Sequence, residues 1–61
     1  MDNSQKLRQL RQSLGWPKRK ICRLLEISRP TLDKWESDPL AATGLAVEGA
    51  IHKLEKELVK P

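Results

Sequence analysis

The sequence predicts an all-α fold. Apolar residues recur at spacings of three and four, no stretch alternates in the manner of a strand, and Pro or Gly separates the apolar stretches. A chain of 61 residues holds one small domain at most. We therefore expect a compact single domain over residues 1–61 that contains four helices, with five helices as the alternative.

The first helix is expected to begin at a cap formed by Asn3 or Ser4 and to run to Leu14. Gly15 would end this helix, because glycine readily takes the left-handed conformation that follows many helices. The expected apolar stripe of the helix consists of Leu7, Leu10 and Leu14.

Two short helices joined by a tight turn are predicted over about residues 17–37. Pro17 fits the first turn of the second helix, where its missing N–H costs nothing. Ser28 is the expected N-cap of the third helix, and Pro30 fits the first turn of that helix, which should run from about Arg29 to Ser37. The residues expected to face the core are Ile21, Leu24, Leu25, Leu32 and Trp35.

A longer last helix is predicted over about residues 43–59. Leu40 extends its apolar stripe if the helix begins early, whereas Gly44 and Gly49 weaken its first part. A second line of residues, at spacing seven, predicts a dimer seam, and the alternative is a set of scattered surface residues. The inward stripe is Val47, Ile51, Leu54 and Leu58, and the seam is Leu45, His52 and Val59.

Positive charge is concentrated in the first half of the chain. Residues 1–34 contain nine basic and three acidic residues, whereas residues 35–61 contain three basic and five acidic residues. A basic half suits a polyanion such as nucleic acid, or an anionic membrane surface. A solubilising face is the alternative interpretation.

The scarcity of cysteine and histidine excludes two kinds of site. Cys22 is the only cysteine and His52 the only histidine, so neither a disulfide framework nor a four-ligand Cys/His zinc site is expected. We expect no metal, no cofactor and no small-molecule ligand. No nucleophile and base can be placed together, so we expect no catalytic residue and no enzyme. The lack of a long apolar run predicts no membrane span and a cytoplasmic location.

The paired helices have the order of a DNA-reading unit. A major groove admits one α-helix whose first turn points at base edges, while cations and N–H groups contact the flanking phosphates. We therefore expect the third helix to enter the groove and the second to lie across the backbone. The expected base contacts include Arg29, Asp33 and Lys34, and the expected phosphate contacts are Lys18, Arg19, Arg23, Ser28, Thr31 and Ser37.

Several of these assignments have alternatives. Of the four cations Lys18, Arg19, Lys20 and Arg23, about two face solvent in the alternative interpretation. Arg29 is expected to contact guanine O6 and N7, with a phosphate contact or a solvated charge as the alternative. Lys34 suits a base edge and a phosphate equally. Asp33 could accept a hydrogen bond from cytosine N4, but an ion pair with Arg29, four residues earlier on the helix, is favoured.

Residues around the predicted turn follow a known pattern. Ser28, Thr31, Trp35 and Glu36 stand at a fairly specific spacing, and the further matches are Leu10, Arg11, Gly15, Ile21, Leu25, Ile27 and Leu32. The stretch LRQLRQSLGWPKRKICRLLEISRPTLDKWES thus resembles the helix-turn-helix of the lambda-repressor-like (Cro/cI, or XRE) transcriptional regulators. With the last helix included, the resemblance covers about residues 5–58.

The resemblance implies roles for further residues. Arg11 and Glu36 would form a structural ion pair that fixes the third helix. Pro30 stands at a usual base-contact position, where its apolar surface could touch a thymine methyl group. Lys18 replaces a Gln that often braces the DNA backbone in relatives. Glu26 replaces the turn Gly, near a possible left-handed position, at a cost of about 1 kcal/mol.

The residues and the resemblance together predict a sequence-specific regulator that binds double-stranded DNA. The resemblance implies a small repressor of phage, plasmid or prokaryotic type that binds DNA as a homodimer and is associated with the nucleoid. One rival is an antitoxin-like or scaffold module whose helix-turn-helix holds another protein. A second rival is a basic amphipathic peptide on a membrane surface.

Overall fold

Four α-helices follow one another along the chain. The computed structural model describes residues 2–60, and no β-strand occurs within them. The helices are α1 (Asn3–Leu14), α2 (Lys18–Leu25), α3 (Arg29–Ser37) and α4 (Leu45–Leu58). The predicted all-α class is confirmed, with four helices rather than five in this part of the chain. The predicted domain span also includes Met1 and Pro61, which lie outside the described residues.

Asp2 caps α1, so the prediction of Asn3 or Ser4 as the cap is wrong. The Asp2 Oδ1 atom accepts a hydrogen bond from the Gln5 N–H at 2.9 Å. Asn3 and Ser4 instead make tertiary contacts, because the first turn of α1 lies against other parts of the fold. Asn3 Nδ2, for example, donates to the Ala42 carbonyl oxygen at 2.9 Å, which ties the loop after α3 to α1.

Left-handed residues end both α1 and α2. Gly15 has a φ of 69° and ends α1 as predicted, and its N–H donates to the Arg11 carbonyl at 2.9 Å. Glu26 has a φ of 56° after α2, although it carries a side chain. This conformation costs a non-glycine residue about 1 kcal/mol. Pro17 was predicted to lie in the first turn of α2. It is instead the N-cap, the residue immediately before that turn.

A side-chain cap begins α3, and the main-chain N–H of Asp38 closes its last turn by donating to the Lys34 carbonyl at 2.9 Å. Ser28 caps it as predicted, since the Ser28 Oγ atom accepts from the Thr31 N–H at 3.4 Å. Pro30 lies in its first turn, where no intrahelical N–H bond is lost. Asp38 follows the last turn in an extended conformation, and its carboxylate accepts from the Leu40 N–H at 3.0 Å. These caps produce a helix of nine residues.

The last helix, α4, is shorter than the predicted segment 43–59. Gly44 precedes it with a φ of 96°, which lies outside the helical region and prevents an earlier start. Leu40 is consequently not part of the inward stripe and is 87% exposed. Leu58, at the last helical position, is 41% exposed, so the buried part of the stripe ends at Leu54.

Aliphatic side chains from all four helices meet in one core. Helix α1 packs against α3 and α4, and α2 packs against α3. Trp16 and Trp35 are half-buried at the edge of this core. Its centre therefore depends on smaller side chains, namely Leu7, Ile21, Leu25, Leu32, Ala42, Val47, Ala50, Ile51 and Leu54.

Candidate nucleic-acid interface

Side chains of α1 hold the C-terminal end of α3. The last carbonyl groups of a helix have no partner within the helix. Ser4 Oγ donates to the Trp35 carbonyl at 2.5 Å, and Arg8 Nη1 donates to the Glu36 carbonyl. Two main-chain oxygens at this end of α3 are thereby satisfied, and α3 is attached to α1.

An ion pair adds to this attachment. Arg11 Nε lies 3.1 Å from Glu36 Oε2, and Arg11 Nη2 lies 2.9 Å from Glu36 Oε1. The Glu36 side chain is buried, whereas the Arg11 side chain keeps 26% of its exposure. Two parallel hydrogen bonds between a planar guanidinium and a carboxylate fix the relative orientation of both groups. This pair, which the family resemblance implied, therefore orients α3 on α1.

The contributions of Ser4 and Arg8 were not predicted. Ser4, Arg8 and Arg11 are spaced by four and three residues, so they share one face of α1. That spacing is the only signal in the sequence, and it is equally typical of a solvated helix face. The partners are main-chain carbonyls, which no side-chain pattern reveals.

The outer face of α3 carries the side chains that were predicted to meet DNA bases. Leu32 is fully buried and Trp35 half-buried on the opposite side, so α3 is anchored from behind. Within residues 2–60, neither Arg29 nor Lys34 forms an ion pair. The predicted base-facing residues are all exposed: Arg29, Pro30, Asp33 and Lys34.

Asp33 pairs with α2 and not with Arg29, which corrects the favoured sequence interpretation. Lys18 Nζ lies 2.7 Å from Asp33 Oδ1. Lys18 reaches Asp33 because the first turn of α2 lies beside the middle of α3, a proximity that helix spacing alone does not show. The hydrogen bond from Lys18 holds the pKa of the Asp33 carboxyl below its ordinary value. Asp33 is therefore a carboxylate at neutral pH.

Three arginines surround a shallow depression where α2 meets the start of α3. Arg19, Arg23 and Arg29 line an open space of about 250 Å³ whose remaining lining is Cys22 and Ile27. None of the three arginines forms an ion pair in the described part of the chain. The structure thus brings together two predicted phosphate contacts and one predicted base contact.

Lys20 is directed elsewhere. Its Nζ atom lies 4.1 Å from the centroid of the Trp16 ring, in the geometry of a cation–π contact. Such a contact stabilises exposed pairs by about 0.5–1 kcal/mol. Lys20 is therefore occupied by Trp16, unlike its neighbour Arg19.

The hydroxyl groups predicted to contact phosphate have partners within the protein. Ser28 Oγ and Thr31 Oγ1 lie 2.8 Å apart and share a hydrogen bond. Ser37 Oγ donates to the Asp33 carbonyl at 2.8 Å. Each hydroxyl nevertheless retains acceptor or donor capacity. Ser28 and Ser37 are exposed, and Thr31 is half-buried.

A family comparison agrees with this geometry. The sequence profile of the Helix-turn-helix family matches residues 7–48, which cover α1 from Leu7 onward, all of α2 and α3, and the start of α4. The chain belongs to the lambda-repressor-like helix-turn-helix family. Proteins of this family are DNA-binding regulators. Comparison with curated proteins and comparison with solved structures gave no match.

The predicted dimer seam of this helix-turn-helix protein lies on its surface. Leu45, the first residue of α4, is 86% exposed, and His52 is also exposed. Val59 follows the end of α4 and is 81% exposed. The fold thus leaves all three side chains accessible to another chain.

Other kinds of site find little support in the described residues of this helix-turn-helix protein. No three His, Cys, Asp or Glu side chains among residues 2–60 converge as metal ligands would. Cys22 is half-buried, and burial raises the pKa of its thiol. A raised pKa keeps the thiol protonated, which opposes a nucleophilic role. None of the helices in this part of the chain has both the length and the apolar character needed to span a bilayer.

Proposed function

We propose that this helix-turn-helix protein is a sequence-specific transcriptional regulator that binds double-stranded DNA through α2 and α3. One observation carries the proposal. Arg19, Arg23 and Arg29 lie around one depression at the start of α3, and none of them has an acidic partner within residues 2–60. A surface of this kind is stabilised when phosphates neutralise it.

In the proposed complex, α3 enters the major groove and α2 lies across the DNA backbone. Arg29 contacts guanine O6 and N7, and Pro30 contacts a thymine methyl group. Asp33 and Lys34 complete the base-facing set. The proposed phosphate contacts are Lys18, Arg19, Arg23, Ser28, Thr31 and Ser37.

We propose further that two copies bind together and repress transcription by occluding polymerase. A homodimer would read two half-sites separated by one duplex turn, about 34 Å. The exposed residues Leu45, His52 and Val59 form the proposed seam between the copies. The protein would then be a small repressor of phage, plasmid or prokaryotic type, located with the DNA in the nucleoid.

Random-site selection tests the proposal. The protein is incubated with a pool of randomised duplexes, and the bound duplexes are amplified and sequenced. The proposal predicts an enriched motif with two related halves, and binding that weakens steeply as salt rises, because several phosphates are contacted. An unenriched pool, or affinity that does not change with salt, would contradict it.

A second candidate function is an antitoxin-like or scaffold module. The observation that favours it is an open groove of about 250 Å³ beside the exposed Leu45, lined in part by Ile27, Trp35 and Ala46. Apolar surface of this kind suits a protein partner. Random-site selection separates the two functions, since a protein-binding module with this basic surface would bind DNA in a salt-dependent way but would enrich no motif.

A further inference from the structure

One acidic side chain interrupts the positive surface of α3. Helix α3 contains two acidic residues, and Glu36 is buried in its pair with Arg11. Asp33 is thus the exposed carboxylate of this helix, and it lies four residues after Arg29 and beside Lys34 in the sequence. On a surface that binds a polyanion, a carboxylate opposes binding unless it has a specific partner.

Asp33 neutralises one cation selectively. Its Oδ1 atom lies 2.7 Å from Lys18 Nζ, whereas Arg29 and Lys34 remain without an ion pair in the described residues. The Lys18 side chain is 32% exposed and the Asp33 side chain 49% exposed. A DNA backbone can therefore reach this pair, and an exposed pair is weak enough to be exchanged for other contacts.

We propose that Asp33 is a specificity-determining residue that withholds Lys18 from the phosphates of non-cognate DNA. The inference rests on the proposed DNA-binding function. A non-cognate duplex gains a contact with Lys18 only if the ion pair breaks and leaves the Asp33 carboxylate without a partner beside the phosphates. Binding to a non-cognate sequence therefore involves one fewer contact between a cation and a phosphate.

A cognate duplex compensates for this loss. The N4 amino group of a cytosine donates to a carboxylate in the major groove. When such a base faces Asp33, the carboxylate exchanges Lys18 for the base, and Lys18 becomes available to a phosphate. The Lys18–Asp33 pair thus increases the difference in affinity between cognate and non-cognate DNA, mainly because it lowers the non-cognate affinity.

The test compares Asp33→Asn with wild type on two duplexes of equal length. One duplex carries the sequence recovered by random-site selection, and the other carries the same bases scrambled. Asp33→Asn should raise the affinity for the scrambled duplex about threefold or more, and steepen the slope of log K against log salt by about one, because Lys18 then neutralises a phosphate. The ratio of cognate to scrambled affinity should fall.

Two controls distinguish an effect of the Lys18–Asp33 pair from a general effect of net charge. Glu55→Gln removes one negative charge from the exposed face of α4, and it should leave the affinity ratio within about twofold of wild type. The double variant Lys18→Gln/Asp33→Asn keeps the net charge and replaces the ion pair by two neutral groups. It should bind the scrambled duplex within about twofold of wild type, because Lys18 does not contribute there.

Several results would overturn the inference while leaving the proposed function intact. One is an unchanged affinity ratio in Asp33→Asn. Another is a double variant that binds the scrambled duplex as weakly as Arg19→Ala, since Lys18 would then contact phosphate in the wild type. Failure of the wild type to bind either duplex would instead overturn the proposed function itself. Cooperative thermal unfolding of each variant verifies that it is folded.

Discussion

Arg11 of α1 and Glu36 of α3 are joined by two hydrogen bonds, at the end of α3 that lies farthest from Arg29. Arg29 and Glu36 are separated by seven residue steps, which correspond to roughly 10 Å of helix. A small rotation of α3 about its C-terminal end would therefore displace Arg29 considerably. The ion pair thus contributes to function through position, because it orients the helix that carries the exposed arginine.

Removal of Arg11 should destabilise the protein. Arg11→Ala leaves the buried Glu36 carboxylate without its partner, and loss of one member of a buried pair costs about 3–5 kcal/mol. Water can reach the pair on the Arg11 side, so we expect about 2 kcal/mol, or a decrease in Tm of roughly 10 °C. Thermal unfolding followed by circular dichroism measures this change.

The matched control is Lys6→Ala, which removes a positive charge from an exposed position on the same helix. Its Tm should stay within about 2 °C of wild type, because surface substitutions have small effects. An Arg11→Ala variant with the Tm of the control and an altered DNA site preference would show that Arg11 reads DNA and does not act structurally.

Substitution of Glu26 by glycine should increase the stability of the protein. Its left-handed backbone costs about 1 kcal/mol, and glycine avoids this cost, although glycine also increases the entropy of the unfolded chain. Glu26→Gly should therefore raise stability by about 0.5 kcal/mol, seen as an increase in Tm of roughly 2–4 °C. Glu26→Ala retains the strained φ and should give no increase, so equal Tm values for the two variants would exclude backbone strain as the cause.

The helices could be predicted from the sequence more reliably than the residues that cap them. The spacing of apolar residues predicted all four helices, because helical periodicity is a local property of the sequence. The capping residues were harder to predict. Asn3 and Ser4 are good capping residues, but the fold uses them for tertiary hydrogen bonds and caps α1 with Asp2. A choice between equivalent capping residues depends on what the first turn contacts, and the sequence does not show this.

The candidate site shows the same division. The exposure of Arg29 and Lys34 followed from the inward direction of Leu32 and Trp35 on the same helix. The partner of Asp33 did not follow, since helix spacing offered Arg29 on the same helix. Lys18 competes successfully because α2 places it within 2.7 Å of the carboxylate, and that proximity arises only when two helices pack.

The ion pair between Lys18 and Asp33 should stabilise the fold at neutral pH, and this stabilisation should be lost in acid. Pairing lowers the pKa of Asp33 from its ordinary value of 3.8. A carboxyl group with a lowered pKa in the folded state stabilises the fold above its unfolded pKa, and this contribution is lost as pH falls through the folded pKa. Wild type should therefore have a higher Tm than Asp33→Asn at neutral pH. The difference should start to decline as pH approaches 3.8 and should vanish only below the still lower folded pKa.

The control for this pH dependence is the same substitution in a Lys18→Gln background. Without the ammonium group, Asp33→Asn should leave the dependence of Tm on acid pH nearly unchanged. A difference between wild type and Asp33→Asn that does not decline as pH falls below 3.8, or that is equally large in the Lys18→Gln background, would show that the pair is not its source.

The central claim is that α3 presents Arg29 to base edges, and the pair of variants Arg29→Ala and Arg19→Ala tests it most directly. Both remove one unpaired arginine from the same depression. Their affinities are measured on the selected duplex and on its scrambled counterpart. Arg29→Ala should weaken binding to the selected duplex by about 1–3 kcal/mol and should lower the affinity for the scrambled duplex far less. Arg19→Ala should lower the affinity for both duplexes equally. Equal losses on both duplexes for Arg29→Ala would contradict the claim, because Arg29 would then be a phosphate contact.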